Sequence, residues 1–347
     1  MSRLIALLLV FVSTTAMLQA APDLPKEPVL RIETGAHLSP ITRISSDAAG
    51  NFAVTSSEDK TARVWELRSG RQVSVLRPPL GADSVGALYA VAMSPDGRQV
   101  AAGGNAGFDN KTHAIYLFDR ATGTLPPKST LSGMEAPVTQ LAWSTDSQLI
   151  AVGLRQEGLR IFKRNLGFVA ADPEYNEAIY GAAFARDGRL AVVSIDGFMR
   201  LYGFGKNGLE RLARKQMPGK PYGVAWSPDG NLIAVGLQDS ARVAVLSAST
   251  LNVLYIAEGG NAGNLGRVAW STDGQTIYAA GSVARNGRFV VLAFGSAGRD
   301  VPRDIGSFGN IITGLDTNAG GLLARCPLRP VARRDVTDFM TNDACQI

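Results

Sequence analysis

Two cysteines and two histidines in 347 residues leave little from which to build the commoner catalytic or metal centres. Cys326 and Cys345 alone cannot make the disulfide framework of a small secreted domain. His37 and His113 are too few for a His-rich metal site. His-Glu-x-x-His, Cys-x-x-Cys and Gly-x-Ser-x-Gly are all missing, which removes the sequence basis for zinc-protease, thiol-redox and serine-hydrolase chemistry. Charge of one sign is also in short supply: 35 Lys and Arg stand against 30 Asp and Glu, a scattered excess of +5. No nucleic-acid footprint is expected from it.

Long apolar runs are confined to the first twenty residues. Arg3 precedes the apolar stretch Leu4 to Val12, then come Ser13-Thr14-Thr15 and the small-residue segment ending at Ala20-Ala21-Pro22. This order of basic, apolar and small residues predicts a signal peptide over 1–20, cut after Ala20. A membrane anchor would need about 20 spanning residues, and even Leu4 to Leu18 is shorter. The expectation is therefore a periplasmic or secreted protein with no membrane span. Thiols can oxidise there, so a disulfide between Cys326 and Cys345, nineteen residues apart, is expected to tie down the C-terminal segment.

What the chain has in quantity is glycine, 38 residues, placed in a repeating phrase of apolar alternation, Ser or a similar residue, x-Asp-Gly, and a second alternation. It reads Ala90-Val91-Ala92-Met93-Ser94-Pro95-Asp96-Gly97, Leu141-Ala142-Trp143-Ser144-Thr145-Asp146-Ser147, Gly181-Ala182-Ala183-Phe184-Ala185-Arg186-Asp187-Gly188, Gly223-Val224-Ala225-Trp226-Ser227-Pro228-Asp229-Gly230 and Arg267-Val268-Ala269-Trp270-Ser271-Thr272-Asp273-Gly274. Weaker copies end at Gly50 and Gly320, giving seven units with spacings of 41 to 50 residues. Asp-Gly suits a tight turn, and short alternating segments between turns argue for strands. A unit of this size cannot cover its own apolar faces, so neighbours must stack. The period fits one four-stranded propeller blade, and β-branched alternation with recurrent Gly speaks against helical repeats. The predicted fold is all-β, a seven-bladed β-propeller.

The run Ser56-Ser57-Glu58-Asp59-Lys60-Thr61-Ala62-Arg63-Val64-Trp65-Glu66, with Gly35 and His37 upstream, resembles a WD40 repeat. The likeness extends over roughly 29–325. It implies a structural hydrogen-bond tetrad of His37, Asp59, Trp65 and a strand hydroxyl at Thr55 or Ser57. Elsewhere Phe118-Asp119, Phe162-Lys163 and Tyr202-Gly203 stand where Trp-Asp would be. The sequence also resembles exported bacterial WD40 propellers associated with caspase-like peptidase domains. Asp343-Ala344-Cys345 matches a caspase-like nucleophile neighbourhood, yet no His lies between 114 and 347 to serve as its base, so the tripeptide reads as chance. The resemblance further implies that an N-terminal strand, Val29 to Thr34, completes the last blade. The organisation expected is a signal peptide 1–20, a linker 21–28, a propeller 29–325 and a tail 326–347.

Nothing in the remaining inventory asks for chemistry. Gly103 to Gly107 and Gly259 to Gly263 follow strands without opening helices, so they read as blade loops rather than phosphate cradles. Asp59, Asp196 and Asp239 recur one per blade, too far apart to share a calcium ion. His113 reads as a surface residue at a strand start. One surface does stand out: the residue eight before each turn glycine, where the innermost strand begins, is Thr42, Tyr89, Thr139, Tyr180, Tyr222 and Gly266. Tyr brings a rigid ring and a hydroxyl at little entropic cost and is enriched in interface hot spots. The reading is a monomeric, non-catalytic protein-interaction scaffold with no cofactor and no metal, whose partner docks on Tyr89, Tyr180 and Tyr222 with Thr42 and Thr139 beside them. The rival is an enzymatic, small-ligand or metal-binding propeller acting at the central channel.

Overall fold

The computed structural model describes residues 35–79, 84–106, 112–205, 208–325 and 345–346. Among them the chain forms seven antiparallel sheets in sequence order, a β-propeller. Blade 1 shows the plan: Ile41–Ser46, Phe52–Ser57, Ala62–Glu66 and Arg71–Leu76 pair in order from the inside outward. The inner strands of the other blades are Ala87–Met93, Val138–Trp143, Ile179–Phe184, Pro221–Trp226, Arg267–Trp270 and Gly314–Asn318. Each packs against the next, and the seventh returns to the first, which closes the ring. Six blades have at least four strands, and the seventh is a smaller sheet of three.

The repeated phrase is a turn device. Ser94, Ser144, Ser227 and Ser271 each donate Oγ–H to the Asp two residues on, at 2.6, 2.5, 2.6 and 2.5 Å. The same oxygens accept the backbone N–H five residues on, from Gln99, Leu149, Leu232 and Thr276. Hydroxyl and carboxylate thus satisfy the turn's orphan amides. The closing glycines sit in the left-handed region, Gly97 at φ +67° and Gly230 at +73°. Blade 3 puts Ser147 there at φ +60°.

Burial comes from the stacking of neighbours. Seven apolar clusters fill the seven inter-blade spaces, the fullest between blades 2 and 3 and the smallest between blades 7 and 1. Because second and third strands are covered on both faces, they read as near-continuous apolar runs: Leu149–Leu154 and Leu232–Leu237 are buried at every position but the first.

The last blade departs from expectation. Its second strand, Gly321–Arg325, pairs with Cys345–Gln346, two residues placed by the sequence in a tail. A strand edge attracts any segment able to hydrogen-bond to it, and here the occupant comes from the C-terminal side. The expected N-terminal closing strand over 29–34 lies outside the described residues, as do the signal peptide, the linker and Cys326, so the disulfide expectation falls outside them too. No helix among the described residues is long and apolar enough to cross a membrane.

Candidate partner-binding mouth and central channel

The five candidate residues share a feature that periodicity does not display. Each is skipped in the register between its inner strand and the second strand. Pairing passes over Thr42 between Ile41 and Arg43, over Tyr89 between Leu88 and Ala90, and over Thr139 between Val138 and Gln140. It likewise passes over Tyr180 between Ile179 and Gly181, and over Tyr222 between Pro221 and Gly223. A β-bulge leaves one residue unpaired and re-aims its side chain. Five blades use that freedom at the same end of the channel.

They use it in two ways. Thr42 Oγ1 donates to Leu88 O at 2.8 Å, Thr139 Oγ1 to Ile179 O at 2.6 Å, and Thr313 Oγ1 to Ile41 O at 2.9 Å. Each threonine therefore ties its blade forward to the next one. Of the two threonines expected to line a docking surface, both commit a hydroxyl to a neighbouring blade's carbonyl, and Thr139 is also buried, 2% exposed.

The tyrosines do not tie blades by hydroxyl. Tyr180 and Tyr222 stack across blades 4 and 5, ring centroids 4.7 Å apart at 26°. The Arg267 guanidinium of blade 6 lies 4.3 Å from the Tyr222 centroid, a cation-π contact. Tyr222 can lean this way because the sixth blade carries Gly266, where a Cβ would come within 3.2 Å of the ring. Burial pushes the Tyr222 hydroxyl above its usual range, and Arg43 partly offsets this. Tyr89 stands apart. Burial and then Glu58 raise its hydroxyl, Arg155 opposes them, and no ring stacks on it among the described residues. The expected three-tyrosine arc is a stacked pair and a separate tyrosine.

Behind this mouth runs a channel of about 790 Å³, lined by all seven inner strands. Arg43 leaves blade 1 and crosses to the far side, where its Nη2 donates to Thr139 O at 3.2 Å and Tyr180 O at 2.9 Å. Its Nε and Nη1 meet no acceptor among the described residues. Toward the other end, Asp316 of blade 7 accepts Ser46 N–H and Oγ–H, both at 2.7 Å, at the seam with blade 1. Burial pushes the Asp316 carboxyl up to about 6 despite these bonds. Around that end Trp143, Trp226 and Trp270 donate Nε1–H to Ala92 O, Ala183 O and Ala225 O of the preceding blades at 3.1, 2.9 and 3.2 Å. The recurrence of Trp before Ser in three repeats was the available signal for these bonds.

The remaining candidates are structural in placement. Thr55 Oγ1, rather than Ser57, sits between His37 Nε2 and Trp65 Nε1, 2.9 Å from each. His37 Nδ1 meets Asp59 Oδ2 at 2.9 Å. Burial raises the Asp59 carboxyl, but bonds from His37, Thr61 and the Leu38 amide outweigh it and hold Asp59 at about 2. Ser57 Oγ instead donates to Ser39 O. Asp196 pairs with buried Arg200 at 2.6 Å, and Asp239 accepts the Lys220 amide, so the recurring turn acids have local employment. His113 is a buried residue of the strand His113–Asp119, 7% exposed, not a surface one: both faces of that strand are covered. No group of three or more His, Cys, Asp or Glu converges among the described residues.

A closed ring of seven sheets with a His-Asp-Thr-Trp chain in its first blade is an all-β propeller carrying WD40 repeats. The family described as WD domain, G-beta repeat matches residues 28–66 and 125–162. The chain is also similar to WD repeat-containing protein 46 of Caenorhabditis elegans, with 37% identity over 60 residues, 17% of this chain and 10% of that protein. The match spans about a tenth of that relative's length.

Proposed function

We propose that this propeller is a non-catalytic protein-interaction scaffold, exported to the periplasm or secreted, that receives its partner at the mouth formed by the starts of the inner strands. The observation that carries the reading is the Tyr180, Tyr222 and Arg267 ladder, which stacks two rings and a guanidinium from three successive blades at the starts of their inner strands. Aromatic and Arg side chains dominate interface energetics, and stacking fixes these rings before a partner arrives. Blade edges are short and protected, so a partner gains more at a mouth where several blades converge.

Cross-linking and affinity capture from native periplasm, with wild-type protein and Tyr222→Ala side by side as baits, tests this. A protein retained by the first and lost by the second, with affinity weakened by about 1–3 kcal/mol, is the expected result. Tyr180→Ala should behave alike. Equal retention by both variants, with a lowered melting temperature, would mean that the rings only pad the channel wall. Metal analysis of purified protein addresses the rival: a stoichiometric metal would turn the reading toward a channel site.

A further inference from the structure

We propose that the central channel binds a small oxyanion, a carboxylate or a phosphate, held by Arg43 and Arg267. Arg267 is shared with the partner-binding ladder, whereas Arg43 belongs to the channel alone, so anion binding is read separately from partner capture. Arg43, Gln140, Gly181, Gly223, Arg267 and Gly314, near the starts of six inner strands, all line the channel. Two guanidiniums and one carboxamide thus stand in this lining beside three glycines.

Charge points the same way. Arg43, Arg186 and Arg267 line the cavity, and the single acid in its lining is Asp316, already engaged by Ser46. Arg43 is 8% exposed, with no ion pair to any carboxylate among the described residues. Among the described residues only one of its three nitrogens meets an acceptor, a pair of carbonyls, and those carry no charge to offset its own. Burial accordingly lowers its proton affinity, and the Tyr222 and Tyr180 hydroxyls oppose that only in part. A buried cation normally comes with an anion. A volume of about 790 Å³ lies within the range of small-molecule sites. Arginine favours carboxylate and phosphate because its donors match their oxygens.

Calorimetric titration of the full chain with inorganic phosphate and with citrate, against sodium chloride at matched ionic strength, decides the matter. Saturable one-to-one binding of at least one probe is expected, and which one binds separates phosphate from carboxylate recognition. Arg43→Met should weaken binding about tenfold or more and Arg267→Gln about three- to tenfold, as loss of charge-assisted hydrogen bonds predicts. No heat above the chloride control overturns the proposal. So does a thermal shift that rises linearly without saturating and is equal in wild type and Arg267→Gln, the general effect of excluded salts. Should Arg43→Met fail to fold, Arg267→Gln alone decides: undiminished affinity there refutes the site.

Discussion

The interface between blades 2 and 3 and the seam between blades 7 and 1 perform the same task with opposite means. The first buries fifteen apolar side chains in one cluster, among them Leu141, Trp143, Ile150, Leu154 and Phe162. The second, among the described residues, buries only Ile44, Ala53 and Leu323. It relies on polar bonds instead: Thr313 to Ile41 O, Asp316 to Ser46, and Ala319 N–H to Ala48 O. The difference teaches where directionality matters. Apolar packing is tolerant of small shifts, whereas a seam between chain segments some 270 residues apart gains its register from bonds that form in one alignment only.

The largest effect is expected where apolar area dominates. Trp143→Ala removes a 7% exposed ring and its bond to Ala92 O, and should cost about 3–5 kcal/mol in denaturant unfolding. A loss below about 1 kcal/mol would mean that blades 2 and 3 are not held together as described.

The seam should betray itself through pH. With its folded-state pKa raised to about 6, Asp316 contributes stability that is complete below the ordinary carboxylate range and is lost as pH rises through about 6. Asp59, held at about 2, does the reverse: its contribution is present above the ordinary range and is lost as pH falls toward 2. Thermal unfolding across pH 3 to 7 should therefore show a declining component between about 4 and 6 that disappears in Asp316→Asn. An unchanged profile in the variant would remove Asp316 from the account. Asp59→Asn should instead flatten the acid limb, because a neutral amide cannot answer His37 as the carboxylate does.

The smallest effect concerns a single hydroxyl. Thr313→Val keeps the shape and deletes the bond to Ile41 O, for a loss of about 1 kcal/mol. Hydrogen exchange at the blade 7 amides should rise more than at blade 3, since local opening follows the weakest interface. Equal exchange in the two blades would show the seam to be as tight as its neighbours.

Much of this architecture was legible in the residues. The spacing of Asp96, Asp146, Asp187, Asp229 and Asp273 gave the blade period and turn position, because a turn needs a specific short polar side chain wherever it recurs. His37, Asp59 and Trp65 were legible only through the resemblance of their run to a WD40 repeat, which implies a buried hydrogen-bonded chain of these types. The bulges were not. A bulge changes pairing, not composition, so Thr42 and Tyr180 look alike in the pattern although one bonds a neighbouring blade and the other stacks on Tyr222. Arg43 was overlooked because its meaning lies in Thr139 and Tyr180, nearly a hundred and more residues away. His113 misled because its sequence neighbours, Lys111 and Thr112, are polar.

The direction of the tryptophan bonds bears on how the chain is assembled. Trp143 reaches back to blade 2, Trp226 to blade 4 and Trp270 to blade 5, so a blade leaving the ribosome finds its acceptor already made. Thr313 and Asp316, in contrast, must find Ile41 and Ser46 across nearly the whole chain. Such distant pairings carry the largest loop-closure cost and form last. Until they do, the molecule is an open arc with two unpaired faces, the state in which a chaperone or protease would meet it. Closure of the ring is therefore its checkpoint for completeness.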